Sequence, residues 1–247
     1  MIHVKSEKEI ELMREPCKIV RDTLGFVGSK ISAGMSTKEV DELVERYIRS
    51  SGAYPSCLGY GGFPASACIS VNEMVVHGIP DDRILKDGDI VSVDLCAYKN
   101  GYHGDACRTF CIGNVAPKVK QLVKVTEECF FKAIEGLRAG TPLFDIGYRV
   151  QTHAESHGYG VIRSYTGHGI GKEMHEDPSV PNYGRKGTGM RLKAGMVLCV
   201  EPMIALGDWR VRLLDDGWGA VTVDGKPAAH YENTLVIRED GVEILTL

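Results

Sequence analysis

Two aspartates, Asp94 and Asp105, flank an Asn100-Gly101 pair in the stretch KDGDIVSVDLCAYKNGYHGDACRTF, Lys86 to Phe110. Asn-Gly is the strongest short hairpin signal, because a type I′ turn needs φ > 0 at both central residues. A two-residue turn sets Lys99 opposite Tyr102 and therefore Asp94 opposite Cys107. Side-chain direction repeats every two residues, so Asp105 shares a face with Asp94 as its diagonal neighbour, at about 7 to 8 Å. Two carboxylates on one sheet face repel unless a proton or a cation lies between them. The chemistry such a pair suggests is metal binding. An isolated pair more often points to solvent, so acids elsewhere in the chain decide between the two.

Those acids come from an internal repeat. At a shift of 107 positions, Lys86, Gly88, Val93 and Asp94 fall on Lys193, Gly195, Val200 and Glu201. At a shift of 106, Ala33-Gly34 falls on Ala139-Gly140, Val40 on Ile146, Val44 on Val150 and Gly52 on Gly158. Glu232, in Tyr231-Glu232-Asn233-Thr234, opens a later alternating run much as Asp105 does in the first half. Internal repetition constrains a fold strongly. Two halves, about 6–111 and 118–237, each of two helices and a β-meander, predict one α+β domain over 1–247. In it the halves form a pseudo-twofold pair, with helices covering a curved, mostly antiparallel sheet. Asp94 and Asp105 then meet Glu201 and Glu232 around the central axis.

Four carboxylates gathered without a basic cluster cost many kcal/mol unless metal charge compensates them. His168, in SYTGHGIGKEMHEDP, is a fifth candidate, because its flanking glycines let a metal or other backbone approach closely. One imidazole with four carboxylates is an oxygen-rich donor set. It suits Mn, Fe(II), Co or Zn and is enough for two divalent ions bridged by shared carboxylates.

The elements that must position these groups are legible too. Ser6 with Glu9 forms a capping box, and Ile10, Met13, Cys17, Val20, Leu24 and Val27 follow at helical spacing. Pro16 lies inside that helix and predicts a kink or a later start. Ser36 with Glu39 caps a second helix that stops at Gly52. Strands and loops are predicted through Cys111, then helices over about 118–137 and 144–157.

Composition excludes several classes. Of 247 residues 43% are hydrophobic and 25% charged, and the net charge of −4 leaves no basic footprint for DNA. No apolar run approaches the roughly 20 residues of a membrane span. The charged N-terminal stretch lacks a signal-peptide core, so a cytoplasmic protein is expected. The eight cysteines show neither CxxC nor zinc-finger spacing. Most are expected to be buried thiols, including Cys107 and Cys111, with Cys57 and Cys68 set apart. His153 and His157 stand four apart on a predicted helix without an acid at ligand spacing, and read as surface residues. GYGGFP at 59–64 lacks phosphate-loop spacing, and no serine-nucleophile motif occurs.

SVDLCAYKNGYHGDACRTF, YTGHGIGKEMHEDPSVPNYG, GMVLCVEPMI, YENTLVI and VNEMVVHGIP together resemble the motif series of methionine aminopeptidases of the short, bacterial type I class, in order and nearly end to end. The short interval from His168 to Glu201 lacks room for the helical insertion of the type II class, and no zinc-finger segment precedes Ser6. The resemblance implies a pita-bread fold and metal ligands at Asp94, Asp105, His168, Glu201 and Glu232, the set already reached from the residues. It implies removal of N-terminal methionine from nascent chains, by a hydroxide shared between two ions, with Glu201 also serving as proton shuttle. His175 would donate to the oxyanion and His77 would bond the scissile amide or substrate backbone. An unbranched thioether calls for aromatic and sulfur-bearing walls, and the motif supplies Cys57, Tyr60, Phe63, Cys68, Met174 and Trp218 beside His77 and His175. Phe63 and Met174 depart from the Tyr and Phe commonest there, which puts the exclusion of methionine analogues in question. A shallow second subsite, accepting Gly, Ala, Ser, Thr or Val, is likewise an implication of the family. A monomer acting near the ribosomal exit is expected. Two other readings compete: a proline-specific aminopeptidase on the same fold, and a binding module that has lost its metals.

Overall fold

The computed structural model describes residues 2–247. The first half runs α1 (Glu7–Gly28), α2 (Thr37–Ser50), β1 (Tyr54–Pro55), a tight turn at Tyr60–Gly62, β2 (Cys68–Val71), β3 (Met74–Val76), β4 (Ile90–Lys99) and β5 (Tyr102–Cys111). The second half begins with α3 (Pro117–Ile134), α4 (Phe144–Ser156), β6 (Gly160–Val161), β7 (Gly167–Gly169), β8 (Glu176–Val180) and β9 (Val197–Val200). It ends with β10 (Met203–Ala205), β11 (Val211–Leu213), β12 (Ala220–Thr222), β13 (Ala228–His230), β14 (Glu232–Ile237) and β15 (Val242–Ile244).

The main sheet has the order β1-β4-β5-β14-β9-β7-β8, with β2 added beside β4 and β15 beside β14. Its pairings are antiparallel throughout. Two three-stranded sheets, β13-β10-β6 and β11-β12-β3, complete the β-structure among the described residues. The β4–β5 hairpin has the expected register: Lys99 faces Tyr102 and Asp94 faces Cys107. Asn100 and Gly101 carry the positive φ angles, 57° and 83°, that the turn demands.

Alternation divides β4 between helices and site. Val91, Val93, Leu95 and Ala97 pack with Val20, Leu24, Val40, Val44 and Ile48 of α1 and α2. Ser92, Asp94 and Cys96 therefore point the other way. In the second half Leu198, Val200, Leu235 and Ile237 pack with Leu122, Val125, Phe130, Ile146 and Val150 of α3 and α4. Each large side chain buried in these clusters contributes about 1.5–3 kcal/mol, which holds the sheet rigid behind the site.

Both capping boxes form in both directions. Of the two alternatives that Pro16 raised, a kink or a later start, the later start is not found: the helix begins at its Ser6 cap and continues through Pro16. The donor that proline lacks would face the carbonyl of Leu12; Leu12 is exposed and the proline itself buried. α3 ends at Ile134, ahead of the expected Leu137, with Gly136 in the left-handed region just beyond. Ser36→Ala removes the α2 cap and is expected to cost about 1 kcal/mol. Calorimetry should record this as a fall of about 2–4 °C in the unfolding midpoint.

Candidate metal centre and substrate cleft

Two cross-strand rows deliver the acids. Asp94, Cys107 and Glu232 stand opposite one another on β4, β5 and β14. Thr234, Cys199 and His168 form a second row on β14, β9 and β7. Asp105 joins the rows: its backbone N–H donates to Thr234 Oγ1 at 3.0 Å, and that hydroxyl donates to the Asp105 carbonyl at 2.8 Å. Glu201 follows directly on β9, its carbonyl accepting from Asn182 Nδ2 at 2.9 Å. All five expected ligands, with His77 and His175, line one cavity of about 290 Å³.

The His168 imidazole has a fixed tautomer. Its Nδ1–H donates to the Gly169 carbonyl at 2.9 Å, leaving the Nε2 lone pair directed at the acids. Nε2 lies 3.6 Å from Glu201 Oε1 and 4.0 Å from Asp105 Oδ2. The flanking glycines are required by backbone contact: a Cβ on Gly167 would sit 2.3 Å from the Cys199 carbonyl oxygen, and one on Gly169 2.2 Å from that of Asp177.

Burial governs the electrostatics. It pushes Asp94 up to about 7. Burial first raises Asp105, Glu201 and Glu232 well above the usual carboxylate range; the Asp94 charge adds to all three, Asp105 to both glutamates, and Glu201 to Glu232. Burial holds His168 down at about 3 and lowers His77 and His175. Neutral imidazoles beside carboxylates that resist sharing their charge make a site that a divalent cation satisfies, because it discharges the acids and accepts the lone pairs. Asp105 Oδ1 and Glu232 Oε1 are buried without a hydrogen-bond partner, a costly arrangement in a protein interior that metal ligation removes. Cys199 Sγ also lies among these donors. Burial and Glu232 keep that thiol protonated, and only the thiolate is a ligand.

A second recess of about 170 Å³ opens from the acids, with Asp94, Asp105, His77 and His175 on walls common to both. Its other walls are Cys57, Tyr60, Phe63, Cys68, Met174 and Trp218, so all eight expected substrate-side residues meet there. Phe63 and Trp218 pack edge to face at 5.1 Å. His175 Nδ1 lies 2.7 Å from the Tyr60 hydroxyl, and its ring is 4.3 Å from that of His168. His77 adopts a left-handed φ of 59° and packs edge to face on Tyr165 at 5.3 Å. Such a conformation costs about 1–3 kcal/mol and persists where the surroundings impose it.

Sequence reasoning missed His230 and Thr234. His230 ends β13 two residues before Glu232 and lines the same cavity; a His-x-Glu pair in an extended run was the available signal. Two expectations need correction. His153 does have an acid partner, Glu128 of α3 at 3.0 Å from Nε2, because the contact is made between helices and not along one. Cys111 is exposed, since it stands at the end of β5 where cover runs out.

Residues 11–239 match metallopeptidase family M24. A methionine aminopeptidase of Clostridium perfringens is 51% identical over 247 residues, covering 100% of this chain and 99% of its own. The crystal structure of methionine aminopeptidase from Rickettsia prowazekii superposes with a TM-score of 0.98 at 44% identity, covering 100% of both chains. That from Thermotoga maritima gives 0.98 at 46% identity, covering 100% of this chain and 99% of its own. These structures share the pita-bread fold. With the match running through nearly all of it, the chain belongs to metallopeptidase family M24.

Proposed function

We propose that this chain removes the N-terminal methionine from nascent proteins and peptides whose second residue is small, using two divalent ions held by Asp94, Asp105, His168, Glu201 and Glu232. The observation that carries this reading is the joining of the acid-lined cavity to a sulfur- and aromatic-lined recess through common walls. At about 170 Å³ the recess suits one side chain, being smaller than the roughly 300 Å³ where drug-sized sites begin.

Mn, Fe(II), Co or Zn, when bound, supplies a water that ionises near neutral pH and an anchor for the substrate's free α-amine and scissile carbonyl. Glu201 takes the proton of the attacking water and returns it to the leaving amide nitrogen. With the Tyr60 hydroxyl donating to Nδ1, His175 carries its own proton on Nε2 and offers it to the developing oxyanion. His77 bonds the scissile amide or the adjacent backbone. Cys57, Phe63, Cys68, Met174 and Trp218 hold the thioether and exclude charged side chains.

We further infer one catalytic domain over 1–247 built by duplication. Glycines paired by the repeat share left-handed φ angles: 96° and 85° at Gly34 and Gly140, 68° and 77° at Gly52 and Gly158, 96° and 86° at Gly88 and Gly195. No helix among the described residues is long and apolar enough to cross a membrane. The reading calls for a cytoplasmic monomer that meets nascent chains near the ribosomal exit, and one chain supplies every proposed ligand.

The test is to strip metal anaerobically, restore Mn or Fe(II), and follow release of the first residue from Met-Ala-Ser and Ala-Pro-Ser. Metal-dependent cleavage of Met-Ala-Ser alone is the expected result. Cleavage of only the proline peptide would sink the pocket assignment, and no cleavage with metal bound would sink the activity. His175→Ala should lower kcat by about 10²–10³ with little change in KM, as loss of an oxyanion donor does.

A further inference from the structure

His230 has no place in the ligand set just proposed, and its geometry asks for one. The residue is 2% exposed, and Nε2 has no hydrogen-bond partner. That nitrogen lies 3.7 Å from Glu201 Oε2 and 3.9 Å from Glu232 Oε2. Both separations are too long for hydrogen bonds. They are spacings that donors of one cation show: with metal–donor bonds of about 2.0–2.1 Å, two donors sit roughly 2.9 Å apart at a right angle, 3.4 Å at the tetrahedral angle and 4.2 Å when opposed. His168 Nε2 shows the same pattern, 3.6 Å from the other oxygen of Glu201. One oxygen of Glu201 thus faces each imidazole.

The backbone of His230 is also built to hold this position. Its N–H donates to Thr109 Oγ1 at 3.0 Å, and Thr109 Oγ1 donates to its carbonyl at 2.8 Å. Its strand pairs with β10, setting His230 opposite Met203, two residues after Glu201.

We propose that His230 supplies a second imidazole to the metal centre, ligating through Nε2 an ion that it holds together with Glu201 Oε2 and Glu232 Oε2, while His168 serves the ion beside Asp105 and Glu201 Oε1. This rests on the metallopeptidase reading and adds a nitrogen donor to its second ion. The centre then has one imidazole per ion, with Glu201 spanning the two. A nitrogen donor there favours Fe(II), Co or Zn over Mn at the second position more than an all-oxygen site would.

The test uses full-length protein labelled with ¹⁵N-histidine, stripped and reloaded with Mn(II), with uptake followed by calorimetry and ligand nuclei by electron spin-echo modulation. Wild type at full loading should show two histidine nitrogen couplings, and His230→Gln one, with the second equivalent binding at least about tenfold more weakly. A single coupling in fully loaded wild type overturns the proposal without recourse to any variant, as do two couplings retained in H230Q. Should H230Q fail to fold, H168N carries the test: one coupling persists in it if His230 ligates, and none if it does not. Uptake that D105N abolishes, with a single coupling in wild type, leaves the metallopeptidase reading standing and removes His230 alone. No uptake by wild type overturns both.

Discussion

Asp105→Asn is expected to cut kcat/KM for Met-Ala-Ser at least about a thousandfold, while the metal-free protein unfolds at the same temperature as wild type or higher. The two signs have one cause. Asp105 sits at the junction of the two cross-strand rows, tied to Thr234 through both its N–H and its carbonyl, so an amide at this position leaves the fold in place. Losing a group that merely orients a ligand costs 10–100-fold in metal affinity or activity, and removing a ligand itself costs more. In the absence of cation, burial and Asp94 raise the Asp105 carboxyl well above its ordinary range, a sign that its charge is held at a cost to folding. Asparagine abolishes that cost. Calorimetry with and without Mn separates the effects. Metal at a hundred times its Kd should stabilise wild type by about 2.7 kcal/mol, and D105N by far less. A Mn-induced shift unaltered in D105N would remove Asp105 from the ligand set.

Gly167→Ala is expected to lower stability by about 3 kcal/mol and activity by about a hundredfold. A Cβ there would lie 2.3 Å from the Cys199 carbonyl oxygen and 3.2 Å from Val180 Cβ. The first of these atoms belongs to the backbone of β9 and cannot swing away, so β7 must move off its neighbour. Overpacking of this kind costs typically 1–3 kcal/mol, occasionally more, or roughly 6–12 °C in midpoint for a chain of this size at the upper figure. His168, the next residue, moves with the strand, and a 1 Å misplacement of a reacting group costs about 10² in rate. The alternative is that the hairpin absorbs the methyl group elsewhere. Near wild-type melting and activity in G167A would establish that.

Much of this site was legible from the sequence because its determinants are local. The Asn100-Gly101 turn fixes the β4–β5 register without help from the rest of the chain, and parity then places Asp94 and Asp105 on one face. Ser6 with Glu9 and Ser36 with Glu39 fix two helix starts by bonds within four residues. The glycines about His168 advertise a close approach, and backbone oxygens of Cys199 and Asp177 are what approach. What escaped depends on contacts between distant segments. His230 and Glu232 are two residues apart, yet they belong to different sheets, so no strand pattern links them. Thr234 completes a ladder that ends early on β5, a break the alternation does not reveal. Glu128 reaches His153 only because α3 and α4 pack side by side.

Of the proposed donors, Asp94 and Asp105 lie in the first half of the chain and His168, Glu201, His230 and Glu232 in the second, so neither half supplies the full set. Closing the site is therefore a long-range event, of the sort that comes late because its loop-closure entropy is spent before any contact repays it. Cation uptake is then expected to serve as a clock for folding: with the proposed ligands, a refolding chain should gain tight metal binding only when β5 and β14 have met. A fragment carrying Asp94 and Asp105 alone, however well its hairpin forms, has no route to the chemistry.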